Sequence, residues 1–309
     1  LQGPASEHGL LIDGLWDTTM ALILVVFLAL TPLLFTVAYW FRGKKGNKAS
    51  YITHNNKLEF FWTAIPAVVL LVLISYGLSV WGKIVNQDIS DAIVIEVYAK
   101  QFGWTARYAG NDNILGRADV RFVGGKNELG VIANNTKDSQ LLELDQKIVK
   151  LQNDMNNSEN PAEQKLITQR IDKLVKKKKT TMTYFVTTSP EQLSAAEDDI
   201  VTRELHLPVG KKVLLKFRSQ DVLHSAYLPH FRVQMNCVPG TTTQFAFTPS
   251  VTTIDMKKQL EDENFEYVML CNKICGAAHY NMQMKVIVET EQEYNDWLAS
   301  QNVNKISNL

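Results

Sequence analysis

The sequence predicts an α+β membrane protein: an N-terminal transmembrane helical hairpin, then a Greek-key β-sandwich or barrel interrupted by a second helical hairpin. Three observations predict it. Two runs of more than 20 residues near the N-terminus carry no charge, several later segments alternate apolar and polar residues, and one central stretch repeats its apolar residues at coiled-coil spacing. The 309-residue chain balances 32 acidic against 32 basic side chains and is 46% hydrophobic. That composition excludes a disordered tail and a strongly basic nucleic-acid binder, so no nucleic-acid partner is expected. Three cysteines are too few for a disulfide scaffold, and six scattered histidines mean that any metal site is assembled from distant segments.

The first run, Thr18 to Phe41, would reach roughly 36 Å as a helix, enough for a bilayer core with some tilt. The second, Phe60 to Gly82, carries Trp62 and Trp81 near its ends, where indoles suit the membrane interface. Pro32 and Pro66 are tolerated in membrane bundles, where neighbours satisfy freed carbonyls. Arg42, Lys44, Lys45, Lys48 and Lys57 lie between the runs, whereas the first 17 residues carry Glu7, Asp13 and Asp17 and no Lys or Arg. Basic short loops stay cytoplasmic, which places the N-terminus and everything after Lys83 on the outer face. The start at Leu1 fits removal of a presequence or a trimmed start. Residues 1–90 then form the membrane unit, in contact with lipid, and residues 91–309 the outer domain.

In the outer domain, AIVIEVYAKQFGWTARY, KKVLLKF, TQFAF, FEYVML and MQMKVIVE read as strands, with turns at Leu207-Pro208-Val209-Gly210 and Val238-Pro239-Gly240. The insertion, at about 136–180, places Leu141, Leu144, Ile148, Leu151 and Met155 on one helical stripe and Ile167, Ile171 and Leu174 on another, with a break at Asn157 to Pro161. Its lysine run, Lys176 to Lys179, reads as a solvated helix end.

The chemistry is concentrated around His224 in DVLHSAYLPHF and in CNKICGAAHYNM, which presents Cys271, Cys275, His279 and Met282. Two thiolates, an imidazole and a thioether are a soft donor set that favours copper. Cys275, His279 and Met282 with His224 complete a single-copper His2Cys site with axial Met, which leaves Cys271 over; alternatively both thiolates bridge two copper ions, each with one imidazole and one weak ligand. A Cys271–Cys275 disulfide and a zinc site are weaker alternatives, since neither uses Met282. Cys237 reads as a small buried residue and His230 as an exposed or hydrogen-bonded histidine; His206 and His54 carry no signal.

With these residues in place, the chain resembles subunit II of a heme-copper cytochrome c oxidase, of bacterial type with a helical insertion, over nearly its whole length. Val222-Leu223-His224-Ser225 and the loop residues Cys271, Cys275, His279 and Met282 match the family's binuclear copper motif, called CuA. The resemblance implies a cupredoxin fold and a bacterial inner (plasma) membrane location with the copper domain periplasmic. It also implies electron transfer from a c-type cytochrome, in a supercomplex or free, to heme in the catalytic heme-copper subunit I, where oxygen reduction drives proton pumping. Heme and any further copper belong to that partner, and other oxidase subunits complete the assembly.

By the same resemblance the carbonyl of Lys273 is a copper ligand, while its side chain stands where the family usually has a glutamate that reaches magnesium. An ammonium repels a divalent cation, so this chain contributes no Glu-type ligand there. Phe102 and Trp104, in Gln101-Phe102-Gly103-Trp104, correspond to the family's aromatic electron-uptake patch, and Asn236 replaces a frequent Asp. Glu59, in LEFFWTAIP, matches a carboxylate at the cytoplasmic start of the second span, where it collects protons or is simply solvated. The copper ligands argue against a quinol oxidase subunit, and the two spans against a copper chaperone or a nitrous-oxide-reducing enzyme. No C-x-x-C-H occurs, so the chain attaches no c-type heme of its own.

Overall fold

The computed structural model describes residues 3–46, 48, 51, 53–124 and 127–308. The chain divides into two units, Leu1–Asp88 and Ile89–Leu309. Residues 47, 49, 50 and 52 of the basic loop lie outside the described residues.

The first unit consists of helices α1 (Gly9–Trp40) and α2 (Asn56–Val85), both long and apolar enough to cross a membrane. Phe27, Leu34, Leu70 and Leu71 are each more than half exposed, as lipid-facing or partner-facing side chains must be in an isolated chain. The hydroxyls of Thr18, Thr19, Thr36 and Ser75 each donate at 2.8 Å to the carbonyl four residues back, so these four are satisfied within their own helices. The Thr36 bond goes to the carbonyl of Pro32 itself. At the start of α2, the Asn55 Oδ1 accepts the Leu58 N–H at 3.1 Å, and the Glu59 carboxylate accepts the Asn55 N–H at 3.4 Å. Glu59 thus closes the first turn of α2, where a negative charge also suits the helix dipole.

The second unit is a two-sheet sandwich. One sheet has the order β3-β2-β1-β5-β8, from Ile200–Thr202, Gly103–Tyr108, Ile93–Lys100, Val213–Ser219 and Thr243–Phe247. The other has the order β4-β10-β9-β6-β7, from Leu205–Pro208, Gln283–Glu289, Tyr267–Cys271, His224–Leu228 and Val233–Cys237. β1 runs parallel to β5 and β4 parallel to β10, and the other pairs are antiparallel. Val97, Leu215, Phe217, Phe231, Phe247 and Tyr267 have no exposed surface and form the layer between the sheets.

Several elements differ from the sequence expectation. Leu207 and Pro208 are not in a turn: they end β4, because Leu205 and Leu207 are fully buried in register with β10, and the turn begins at Val209. β3, β4, β6 and β7 are short strands that the sequence reading left unassigned. So were α6 (Thr253–Leu260) and α7 (Glu291–Ser300), the latter closed by a Thr290/Glu293 capping box. His206 has a structural place, stacked on Trp297 of α7 at 3.9 Å and hydrogen-bonded through Nδ1 to Glu289 at 3.0 Å.

Between β2 and β3 the chain forms α3 (Asn134–Asn157), α4 (Pro161–Thr187) and the short α5 (Pro190–Ser194). Leu144 of α3 and Ile167, Thr181 and Phe185 of α4 are buried, and Lys178 pairs with Asp145 across the hairpin at 2.5 Å. The hairpin is anchored at its base, where Phe122 packs edge-on against Tyr184 and Phe185 and the guanidinium groups of Arg117 and Arg121 lie over the Tyr184 ring. A buried ionic cluster lies in the first sheet: Arg107 donates to Glu96 and Asp199 at 2.8 Å each, and Arg218 to Glu96 at 2.8 Å.

Candidate metal centre

Three loops converge at one end of the sandwich: the β1–β2 turn, the β5–β6 turn and the β9–β10 loop. Strand register does the first part of the assembly. Cys271 ends β9 opposite Ala226 of β6, and His224 begins β6 two residues earlier, so the cysteine and the histidine come from neighbouring strand ends on one face. The loop is closed at its base by the Cys271 N–H donating to the Met282 carbonyl at 3.0 Å, and by the Asn272 N–H donating to Ser225 at 2.9 Å. A 3-10 turn at His279–Asn281 then returns the chain to β10.

The donor atoms gather within this frame. The Cys271 and Cys275 sulfurs are 3.8 Å apart and both cysteines are free. Nδ1 of His224 is 3.8 Å from the Cys271 sulfur, and Nδ1 of His279 is 3.7 Å from the Cys275 sulfur. The Met282 thioether lies 3.7 Å from Cys275, and the Lys273 carbonyl 3.2 Å from Cys271. His224, Cys271 and Cys275 offer donor atoms within 4.8 Å of one another, while His279 and Met282 approach through Cys275. The six donors expected from the sequence and the family resemblance therefore share one locus.

The donor set fits copper. A sulfur separation of 3.8 Å is nearly twice a disulfide bond of about 2.05 Å, and half of it is shorter than a typical metal–thiolate bond of about 2.3 Å. Two unbonded sulfurs at that spacing would hold soft metal ions, to which they would supply thiolate donors. Burial and the adjacent Cys271 push the Cys275 thiol up to about 11.

Further residues orient the donors. Nε2 of His224, fully buried, meets the Asp221 carboxylate at 2.9 Å, which turns Nδ1 toward the sulfurs. Asp221 also accepts the N–H groups of Val222 and Gln101, each at 2.7 Å, and these bonds hold its carboxyl below the usual aspartate range against the opposing effect of desolvation. The Gln101 side chain donates to the Cys275 carbonyl at 2.5 Å. Asp221 and Gln101 carried no assigned role from the sequence; the signal was the Asp three residues before the histidine, at the start of a tight turn.

Trp104 is buried, its indole N–H donating to the Met282 carbonyl at 3.4 Å and its ring edge-on to His224 at 6.1 Å between centroids. Phe102 is 41% exposed and lies on the copper loop, where a Cβ on Gly276 would meet two of its ring carbons at 2.8 Å. His230 is outside the centre, half-buried with its ring edge-on to Phe265 and Tyr267, and its Nδ1 makes no hydrogen bond, so it is neither exposed nor hydrogen-bonded through that atom. Cys237 is buried opposite His224, and burial pushes its thiol up to about 12. Glu59 belongs to the other unit.

Comparison with known proteins places this geometry. The model of the cytochrome c oxidase subunit II transmembrane domain matches residues 1–80, and that of the subunit II periplasmic domain matches residues 180–290. The alternative cytochrome c oxidase subunit 2 of Bradyrhizobium diazoefficiens is 30% identical over 94% of this chain and 80% of its own length. Cytochrome c oxidase subunit 2 of Thermostichus vulcanus is 24% identical over 95% of this chain and 76% of its own, and that of Synechocystis sp. is 23% identical over 96% and 74%. With both domain models matched and a relative 30% identical over 94% of this chain, the chain belongs to the cytochrome c oxidase subunit II family.

Proposed function

We propose that this chain relays single electrons from a c-type cytochrome to heme in a catalytic heme-copper subunit, at the periplasmic face of a bacterial plasma membrane. Its ligands are His224, Cys271, Cys275, His279, Met282 and the Lys273 carbonyl, holding a pair of copper ions. The observation that carries this reading is the pair of unbonded sulfurs at 3.8 Å with one imidazole Nδ1 against each. Bound copper supplies one-electron chemistry without an open coordination position. The protein supplies rigidity: Asp221 fixes the His224 ring, Gln101 fixes the Cys275 backbone, and strands β6 and β9 fix the separation of His224 and Cys271. Ligands that cannot move change little between oxidation states, which keeps electron transfer fast at small driving force.

Phe102 at the surface and Trp104 beneath it, in edge contact with His224, form the uptake route. The Lys273 side chain gives no magnesium ligand. Residues 1–90 anchor the domain beside the catalytic subunit, and Glu59 at the cytoplasmic start of α2 delivers protons to it.

The test is oxidation of a reduced c-type cytochrome by the purified oxidase. Cys275→Ala is expected to abolish it while the heme spectrum is retained; native-rate oxidation by that variant removes the reading. Glu59→Gln is expected to slow proton-coupled turnover with the copper spectrum intact, and unchanged turnover removes its role.

A further inference from the structure

The inserted hairpin buries one apolar seam and leaves another uncovered. Leu144 of α3 and Ile167 of α4 are buried, yet Leu142 and Val149 of α3 are 60% and 53% exposed, and Val175 and Met182 of α4 51% and 50%. These four side chains share one face. Asp145, a single turn of three or four residues from both Leu142 and Val149, bridges at 2.5 Å to Lys178, a single turn from both Val175 and Met182. Because the two helices run antiparallel, Leu142 lies level with Met182 on one side of this bridge and Val149 with Val175 on the other, seven residues apart on each helix. That is the layer spacing of a helical bundle, turned outward.

The face is charged in halves. Within a turn of Leu142 and Val149 stand Asp138 and Asp145 and no lysine or arginine; within a turn of Val175 and Met182 stand Lys178 and Lys179, with Asp172 the single acid. The lysine run does not end a helix, since α4 continues to Thr187. Among the described residues the ion pairs within the hairpin are Glu143–Lys147 and Asp145–Lys178, which leaves Asp138 and Lys179 exposed and unpaired. α3, 24 residues and about 36 Å long, forms with α4 a face of roughly 700 Å², near the ~800 Å² that each partner of a stable complex buries. A second copy can lie on this face about two kinds of two-fold axis. An axis across the helices sets α3 on α3 and acid on acid, whereas an axis along them sets α3 on α4 of the partner subunit and acid on base. We propose that this face is a dimer interface, on which a second copy of the chain lays its own hairpin, α3 against α4, and closes a four-helix bundle. Leu142 and Val149 then meet Met182 and Val175 of the partner subunit in two apolar layers, and Asp145 meets Lys179 of the partner subunit between them.

The experiment measures the mass of the purified complete oxidase in detergent by sedimentation over a dilution series. The native complex is expected to carry two copies of this chain. Leu142→Asp combined with Val149→Asp is expected to raise the dissociation constant about tenfold or more, with heme content and cytochrome c oxidation unchanged. A charge exchange separates contacts within one hairpin from contacts between two. Asp145→Lys with Lys178→Glu keeps the bridge inside each hairpin, its sign reversed, but sets the new lysine against Lys179 of the partner subunit, so association is expected to weaken about tenfold. Adding Lys179→Glu should restore it. A native complex with one copy of the chain overturns the proposal, as does a dimer that none of these variants weakens or a triple variant that associates no more tightly than the double. Loss of a different subunit from the Leu142→Asp, Val149→Asp complex shows that subunit to cover the face, and also overturns the proposal.

Discussion

Asp221 and His224 form the joint on which the copper centre turns: the carboxylate takes Nε2 at 2.9 Å while Nδ1 of the same ring faces the Cys271 sulfur at 3.8 Å. An imidazole held from behind by a carboxylate keeps one tautomer and one orientation and is a stronger donor. Asp221→Asn is therefore expected to weaken copper retention by about 10–100-fold in competition with a chelator. Retention equal to the native protein's would show that strand geometry alone orients His224.

Gly276 is held at a φ of +140° and its missing Cβ is the space that Phe102 occupies. Gly276→Ala meets both obstacles, backbone strain of about 1–3 kcal/mol and a clash with the Phe102 ring. A lowered melting temperature with partial loss of copper is expected. Adding Phe102→Ala should recover part of it, since that change relieves the clash and leaves the strain; full recovery would assign the whole effect to the ring.

The buried cluster makes stability depend on pH in an unusual direction. Desolvation raises the Asp199 carboxyl to about 7 despite Arg107, and its Oδ1 is buried without a hydrogen-bond partner. An unfolded aspartate titrates near 3.9, so between about 4 and 7 the folded chain holds a proton that the unfolded chain has lost. This contribution is full below about pH 4, falls as pH rises to about 7, and is flat above. Urea unfolding midpoints from pH 5 to 8 are expected to fall more steeply in the native protein than in Asp199→Asn, and parallel curves would contradict it.

The inserted hairpin is expected to be energetically separate from the copper loops. Phe185 is buried with Phe122 and Ile132 at its base. Phe185→Ala should cost about 3 kcal/mol locally and speed amide exchange in α3 and α4, with the copper signal unchanged. A shifted copper signal would tie the hairpin to the centre.

Much of this was legible in the sequence, for identifiable physical reasons. The two long helices announce themselves because a bilayer demands an uninterrupted apolar run, and β9 and β10 because one face of each is buried, giving burial that alternates along their length. Cys271, Cys275, His279 and Met282 sit in one loop and could be read as a spacing. Short strands such as β3 and β4 could not, since three or four residues carry no period and depend on partners far along the chain. Asp221 lies only three residues before His224, but the Gln101 N–H that also holds its carboxylate comes from 120 residues away in sequence, which no local spacing shows.

Copper analysis with electron paramagnetic resonance on the purified oxidase bears most directly on the shared sulfur pair. Two coppers for each chain at this locus, with one unpaired electron split by both nuclei, are expected from Cys271 and Cys275 holding their sulfurs 3.8 Å apart. One copper with the four-line pattern of a single nucleus would contradict it, leaving Cys271 without a metal and the domain a mononuclear carrier.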